Sequence, residues 1–206
     1  PLDAAPKPRP GMPDRRGMER TLAEMERFLT AGNFRDLDEA NVALEEKFCG
    51  PMAAVPSTAS TPLEKAQDLV YRAFDARGRR KVQLARKALE LSPDCADAYV
   101  VLAEQARDPE AARELYAQGV AAGERALGPK VFEESAGGFW GITATRPYMR
   151  ARLGLARCLA DVGRVDEAVG HYQELLRLNP NDNQGVREVL LPLLLLEGRD
   201  AEAGAL

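Results

Sequence analysis

The sequence predicts an all-α fold of stacked helical hairpins, an α-solenoid, preceded by a separate N-terminal helical hairpin. Three observations carry that prediction. The 206 residues are 45% hydrophobic, 29% charged and only 6% aromatic, and alanine, leucine, arginine and glutamate dominate, residues that lose little freedom in a helix. Apolar residues recur three and four apart through most of the chain, with no convincing strand pattern. Pieces of the sequence also repeat: "RKALELSPDC" stands beside "QELLRLNPND", and "VGRVDEA" beside "EGRDAEA", with Gly163 and Gly198 thirty-five positions apart. That is close to the ~34-residue period of helix–turn–helix arrays, in which neighbours stack because no hairpin can bury its own apolar face.

Each element follows in order. Residues 1–16, "PLDAAPKPRPGMPDRR", carry five prolines and few large apolar groups, which predicts a disordered tail. Residues 17–48 read as a hairpin. Met18, Leu22, Met25 and Leu29 form its first stripe, "AGN" breaks it, and Asp36 caps a second helix bearing Leu37, Ala40, Leu44 and Phe48. The turn-rich stretch 49–61 is expected to be a flexible linker that leaves this hairpin a separate unit. From 62 to 206 helices follow one another, ending inside a last hairpin at "RDAEAGAL". Within this array, residues 128–147 are expected to form a packed connector. Gly128 closes a long helix, Phe132, Phe139, Trp140 and Ile142 supply apolar anchors, and Thr143 or Thr145 caps the next helix ahead of Pro147. Pro192 requires either a kink or a later helix start.

The best repeat unit, Met149 to Asp182, resembles a tetratricopeptide repeat. Leu155 and Ala156 match the large-then-small pair of the first helix, Gly163 the turn, Ala168 the close-packed alanine, Tyr172 the aromatic and Pro180 the terminating proline. A degenerate unit keeps Ala88 and Pro93, and another keeps Tyr99, Leu102, Ala103, Ala112 and Tyr116. Residues 61–206, with an irregular insertion before the basic helix "YMRARLGLARCLADVG", are also similar to bacterial relatives of the suppressor-of-tumorigenicity-seven family. The resemblance implies a bacterial scaffold rather than an enzyme, with a ligand groove lined by the first helix of each hairpin. On that reading Arg150, Arg157, Asn183 and Arg187 form the recognition surface, with Tyr99 and Glu104 as its neighbouring wall. Guanidinium groups spaced along one helix face suit a carboxylate, so the expected partner is a protein or peptide with an acidic segment or a C-terminal carboxylate. The family's carboxylate clamp asks for lysine and asparagine one repeat earlier, where this chain has Asp97 and Glu104.

Other chemistry finds little support in the residues. Cys49, Cys95 and Cys158 are dispersed and His171 is the single histidine, so zinc spacings cannot be built, and a reducing, cytoplasmic setting is expected. Cys158 and His171 share a hairpin, but the first reads as buried and structural and the second as a surface residue. No catalytic residue, cofactor or metal is expected. A formal charge of −4 argues against nucleic acid, "ARGRRK" reads as a solvated turn, and the longest apolar run is too short to span a membrane. Because the sequence stops inside a hairpin, an alternative expectation is the docking or regulatory part of a larger bacterial enzyme.

Overall fold

The computed structural model describes residues 15–48 and 56–206, and among them every regular element is helical. The expected tail, apart from its last two residues, and most of the expected linker, Cys49 included, lie outside the described residues. Helices α1 (Arg15–Ala31) and α2 (Leu37–Phe48) come first. Four hairpins follow: α3 (Pro62–Asp75) with α4 (Gly78–Leu91), α5 (Ala96–Gln105) with α6 (Pro109–Glu134), α7 (Arg146–Asp161) with α8 (Val165–Leu178), and α9 (Val186–Leu196) with the short α10 (Asp200–Ala203). Each pairs within itself, and α3, α5 and α7 also touch in succession. This is a row of first helices backed by a row of second helices.

Local chemistry explains the boundaries. Thr61 and Glu64 form a reciprocal capping box at the start of α3, with Pro62 in the first turn. Asp36 accepts from the Glu39 amide at 2.9 Å and Asp108 from that of Ala111 at 3.1 Å, each satisfying a helix donor that would otherwise lack a partner. In α6 the helix breaks at Gly128, whose φ of 69° and ψ of 162° are not helical, and resumes from Pro129 to Glu134. Gly128 therefore closes the long first segment, as expected, and a short second segment follows it. α9 begins at Val186, so Asn183 lies in the preceding turn, and Pro192 stands inside the helix. "ARGRRK" covers the short α3–α4 junction and the first turn of α4, with residues 77–80 exposed.

Apolar stacking builds the core in two clusters. Val70, Phe74, Leu84, Ala88 and Val101 join the first two hairpins, while Tyr148, Leu155, Leu159, Tyr172, Leu175, Leu190 and Leu194 join the remainder. Each buried leucine or larger side chain contributes ~1.5–3 kcal/mol of burial. Ala156 and Ala168 are fully buried, the small residues on which close helix approach depends. Gly123 serves the same end, since an added Cβ would stand 2.7 Å from that of Tyr148 and hold α6 away from α7.

The connector is packed onto the array. Phe139 is fully buried, its ring centroid 5.2 Å from Phe132 and 6.3 Å from Tyr148. The Arg146 guanidinium lies over Trp140, 5.2 Å from the ring centroid, and Nε donates to the Trp140 carbonyl at 3.0 Å. Two expectations fail here. Ile142 is exposed, and Thr145 makes no side-chain cap to α7. The Thr145 hydroxyl instead donates back to the carbonyls of Phe139 and Ile142, closing the 3-10 turns Phe139–Gly141 and Thr143–Thr145 on themselves.

Candidate functional site: an ion-paired groove and a cleft

The first helices present Glu64, Gln67, Asp68, Tyr71 and Phe74 from α3, Asp97 and Glu104 from α5, and Arg146, Arg150 and Arg157 from α7. The N-terminal hairpin is not separate from this surface, because α1 packs along it. Arg16, Glu19, Ala23 and Arg27 recur three and four apart on α1, as one helical stripe requires. Arg16 Nη1 donates to Glu104 at 2.7 Å and lies over Phe74. Arg27 pairs with Glu24 and reaches Asp68. Met18, Leu22 and Leu29 remain exposed, so the apolar stripe expected to build the hairpin is not the face that docks.

At the centre of the seam, Arg150 donates from Nε and Nη2 to the two carboxylate oxygens of Asp97 at 2.8 and 2.6 Å, and from Nη1 to Glu19 at 2.8 Å. Gln67 also donates to Asp97, at 2.8 Å. Asp97 is fully buried, Glu19 is buried, and the Arg150 side chain is 11% exposed. Burial alone would lower the Arg150 pKa, but the two carboxylates more than reverse this and hold it raised. Glu24 shows the same competition with the opposite charge. Burial raises its pKa, while hydrogen bonds from Arg27 and from the backbone and hydroxyl of Thr58 outweigh that and lower it. Burial, helped by the charges of Asp97 and Glu19, pushes the Tyr71 hydroxyl pKa up. Residues 57–61, expected to be flexible, are tied down through Ser57 to Asp68, Thr58 to Glu24, and Ser60 and Thr61 to Glu64.

The six residues selected from the sequence are thus placed differently from one another. Arg150 and Glu104 lie on the groove face and are engaged by α1. The expectation of an open Arg150 is corrected because Glu19 and Asp97 engage all three of its guanidinium nitrogens. Arg157 lies on the same helix, half-buried, with no hydrogen bond or ion pair among the described residues. Tyr99 faces the second helix of its own hairpin, its Cβ 3.2 Å from where a Cβ on Gly119 would stand. Arg187 is tied to the carbonyls of Pro180 and Leu206, each at 3.1 Å, and Asn183 is an exposed turn residue. Cys158 and His171 make no mutual hydrogen bond. Burial raises the thiol pKa and lowers that of the imidazole, and His171, expected at the surface, is half-buried with Nδ1 unpaired.

Beyond the ion pairs, the C-terminal half of α1 and the array enclose a cleft of about 650 Å³. Its walls come from α1, α3, the late turns of α6 and the connector with the start of α7, with Ala23, Leu63, Tyr71, Leu127, Ala144 and Tyr148 among them. Glu26 ties the rim to the connector, accepting from the Thr143 hydroxyl at 2.7 Å and amide at 3.3 Å. The residues that sequence reasoning missed are Glu19, Glu24, Glu26, Arg27 and Tyr71. The available signal was the three-and-four spacing of charged residues on α1, running beside the apolar stripe.

Among the described residues no helix is long and apolar enough to cross a membrane. No curated protein and no solved structure matches the chain. The comparisons do not support the narrower likeness to relatives of the suppressor-of-tumorigenicity-seven family. A family model described as tetratricopeptide repeat matches residues 150–182, spanning α7 and α8, and together with the helical-hairpin architecture this supports a protein of the tetratricopeptide-repeat type, a class that suggests a protein–protein interaction module.

Proposed function

We propose that this chain is a non-enzymatic interaction scaffold that receives a protein or peptide on the groove formed by its first helices. The observation that carries the reading is α1 itself. A helix lies on that face through ion pairs and hydrogen bonds rather than through its apolar stripe, which is the kind of contact the groove would offer a partner. Arg157, half-buried on the same helix as Arg150 and without a hydrogen bond or ion pair among the described residues, is where an acidic segment or a C-terminal carboxylate would bind. The free thiols of Cys95 and Cys158 suit a reducing, cytoplasmic setting. Cys95 is buried, and its pKa is pushed up to about 12 by burial and by Asp97, so it stays protonated and unreactive.

Affinity capture followed by mass spectrometry, comparing the intact chain with Arg157→Glu, tests the proposal. Partners should be lost from the variant while its helicity and melting stay unchanged. Identical partners on both would reject Arg157 as a recognition residue.

A further inference from the structure

We infer that the cleft beside α1 takes a segment of a partner peptide in which an aliphatic residue neighbours a lysine or arginine. The apolar side chain enters the cleft and the cation meets the carboxylates at its rim. This rests on the groove being a peptide-binding face and assigns the chemistry of one end of it. The volume of about 650 Å³ lies within the ~300–1,000 Å³ of ordinary ligand sites. Leu63, Leu127, Tyr148 and five alanines give it a largely apolar surface.

The polar groups around the cleft differ in what remains unused. Most donors are committed: Arg27 Nη2 to Glu24 and Asp68, the Gln67 amide to Asp97, and the Thr143 amide and hydroxyl to Glu26, while Arg27 Nε is buried without a partner among the described residues. The unengaged positions are chiefly acceptors. One carboxylate oxygen each of Glu26, Glu64 and Asp94 has no hydrogen bond among the described residues, since only Oε1 of Glu26, Oε2 of Glu64 and Oδ1 of Asp94 are engaged. Tyr71, 4% exposed, lines the same cleft, and its hydroxyl makes no hydrogen bond among the described residues. The Tyr71 oxygen keeps some exposure, so a group entering beside it can reach the hydroxyl. A ligand carrying an ammonium or guanidinium group satisfies the free acceptors, and a phosphate or carboxylate would be repelled.

The probe is acetyl-glycyl-leucyl-lysine amide, titrated into the 206-residue chain and followed by amide NMR. Shifts are expected at Ala23, Leu63, Leu127 and Ala144. Replacing the probe's lysine by norleucine should weaken binding about tenfold or more, as for loss of a charge-assisted hydrogen bond. Ala126→Phe and Ala144→Phe, both at exposed positions lining the cleft, should abolish binding, while Arg157→Glu leaves it unchanged. The second result separates this site from the open groove, so that failure at Arg157 and failure at the cleft are distinct outcomes. No shift at ~10 mM probe, a weak site by affinity arithmetic, overturns the inference, as does equal binding of the norleucine peptide. Hexylamine binding as tightly as the peptide would assign the cleft to a small amine instead. Binding of the probe only after removal of residues 1–14 would make this chain's own N-terminus the occupant. Either result overturns the partner assignment.

Discussion

Between α7 and α8 the buried groups are Leu155, Leu159, Tyr172 and Leu175, whereas beneath α1 they are Glu19, Glu24, Asp97 and Arg150. The first seam is held by removal of apolar surface from water, which is insensitive to orientation and grows with area. The second is held by directed ion pairs, whose members are costly to bury and valuable only while every partner is present. An apolar seam tolerates small shifts and builds a continuous core. A polar seam fixes one register, and here, among the described residues, only Ala23 of α1 adds an apolar contact with the core of the first hairpins. α1 therefore suits a helix that positions or shields the groove, and the hairpins suit the frame that supports it.

Arg150→Ala tests the contrast most sharply. It strands the fully buried Asp97 and the buried Glu19, and breaking a buried pair from one side costs about 3–5 kcal/mol. The loss should appear first as rapid hydrogen exchange across α1, with α7 and α8 protected; uniform loss across the array would show that the seams are not separable. Leu175→Ala attacks the other seam. Removing a fully buried leucine costs about 2–5 kcal/mol, and here calorimetry should show a lowered melting temperature for the whole hairpin row.

A smaller effect is expected at the α3 cap, which lies beside both seams. The backbone amide of Thr61 and the groups of Ser60 hold the Glu64 pKa down to about 2, from 4.5. A depressed carboxylate pKa stabilises the fold above its unfolded value. The contribution is present above about pH 4.5 and is lost as pH falls towards 2. Glu64→Gln should flatten the stability profile in that window and leave the pH dependence near neutrality unchanged. The smallest effect belongs to Arg157→Ala, which removes no hydrogen bond among the described residues and should shift stability by less than about 0.5 kcal/mol. A large loss there would mean that Arg157 is structural, like Arg150.

The two arginines also show how far the residues alone could be read. Arg150 and Arg157 are seven apart on one helix, and periodicity places both on the groove face without distinguishing them. Only the arrival of Asp97 and Glu19 from distant parts of the chain separates an engaged guanidinium from an unpaired one. The cleft was illegible for the same reason, since its walls come from four distant parts of the chain. Tyr99 was misplaced because a helix as short as α5 presents two candidate faces, and the closeness of Gly119 on α6 decides between them.

Local information was sufficient for the hairpins. The spacing of apolar residues, the small residues Ala156 and Ala168, the turn at Gly163 and the thirty-five-residue offset to Gly198 determine a stacked helical array, because each acts within a few turns or between adjacent units. The docking of α1, the burial of Arg150 and the existence of the cleft were decided only in the tertiary structure. Charged side chains have no periodic signature that names their partners, and their choice between water and one another is made when distant carboxylates and guanidinium groups are brought within hydrogen-bonding distance.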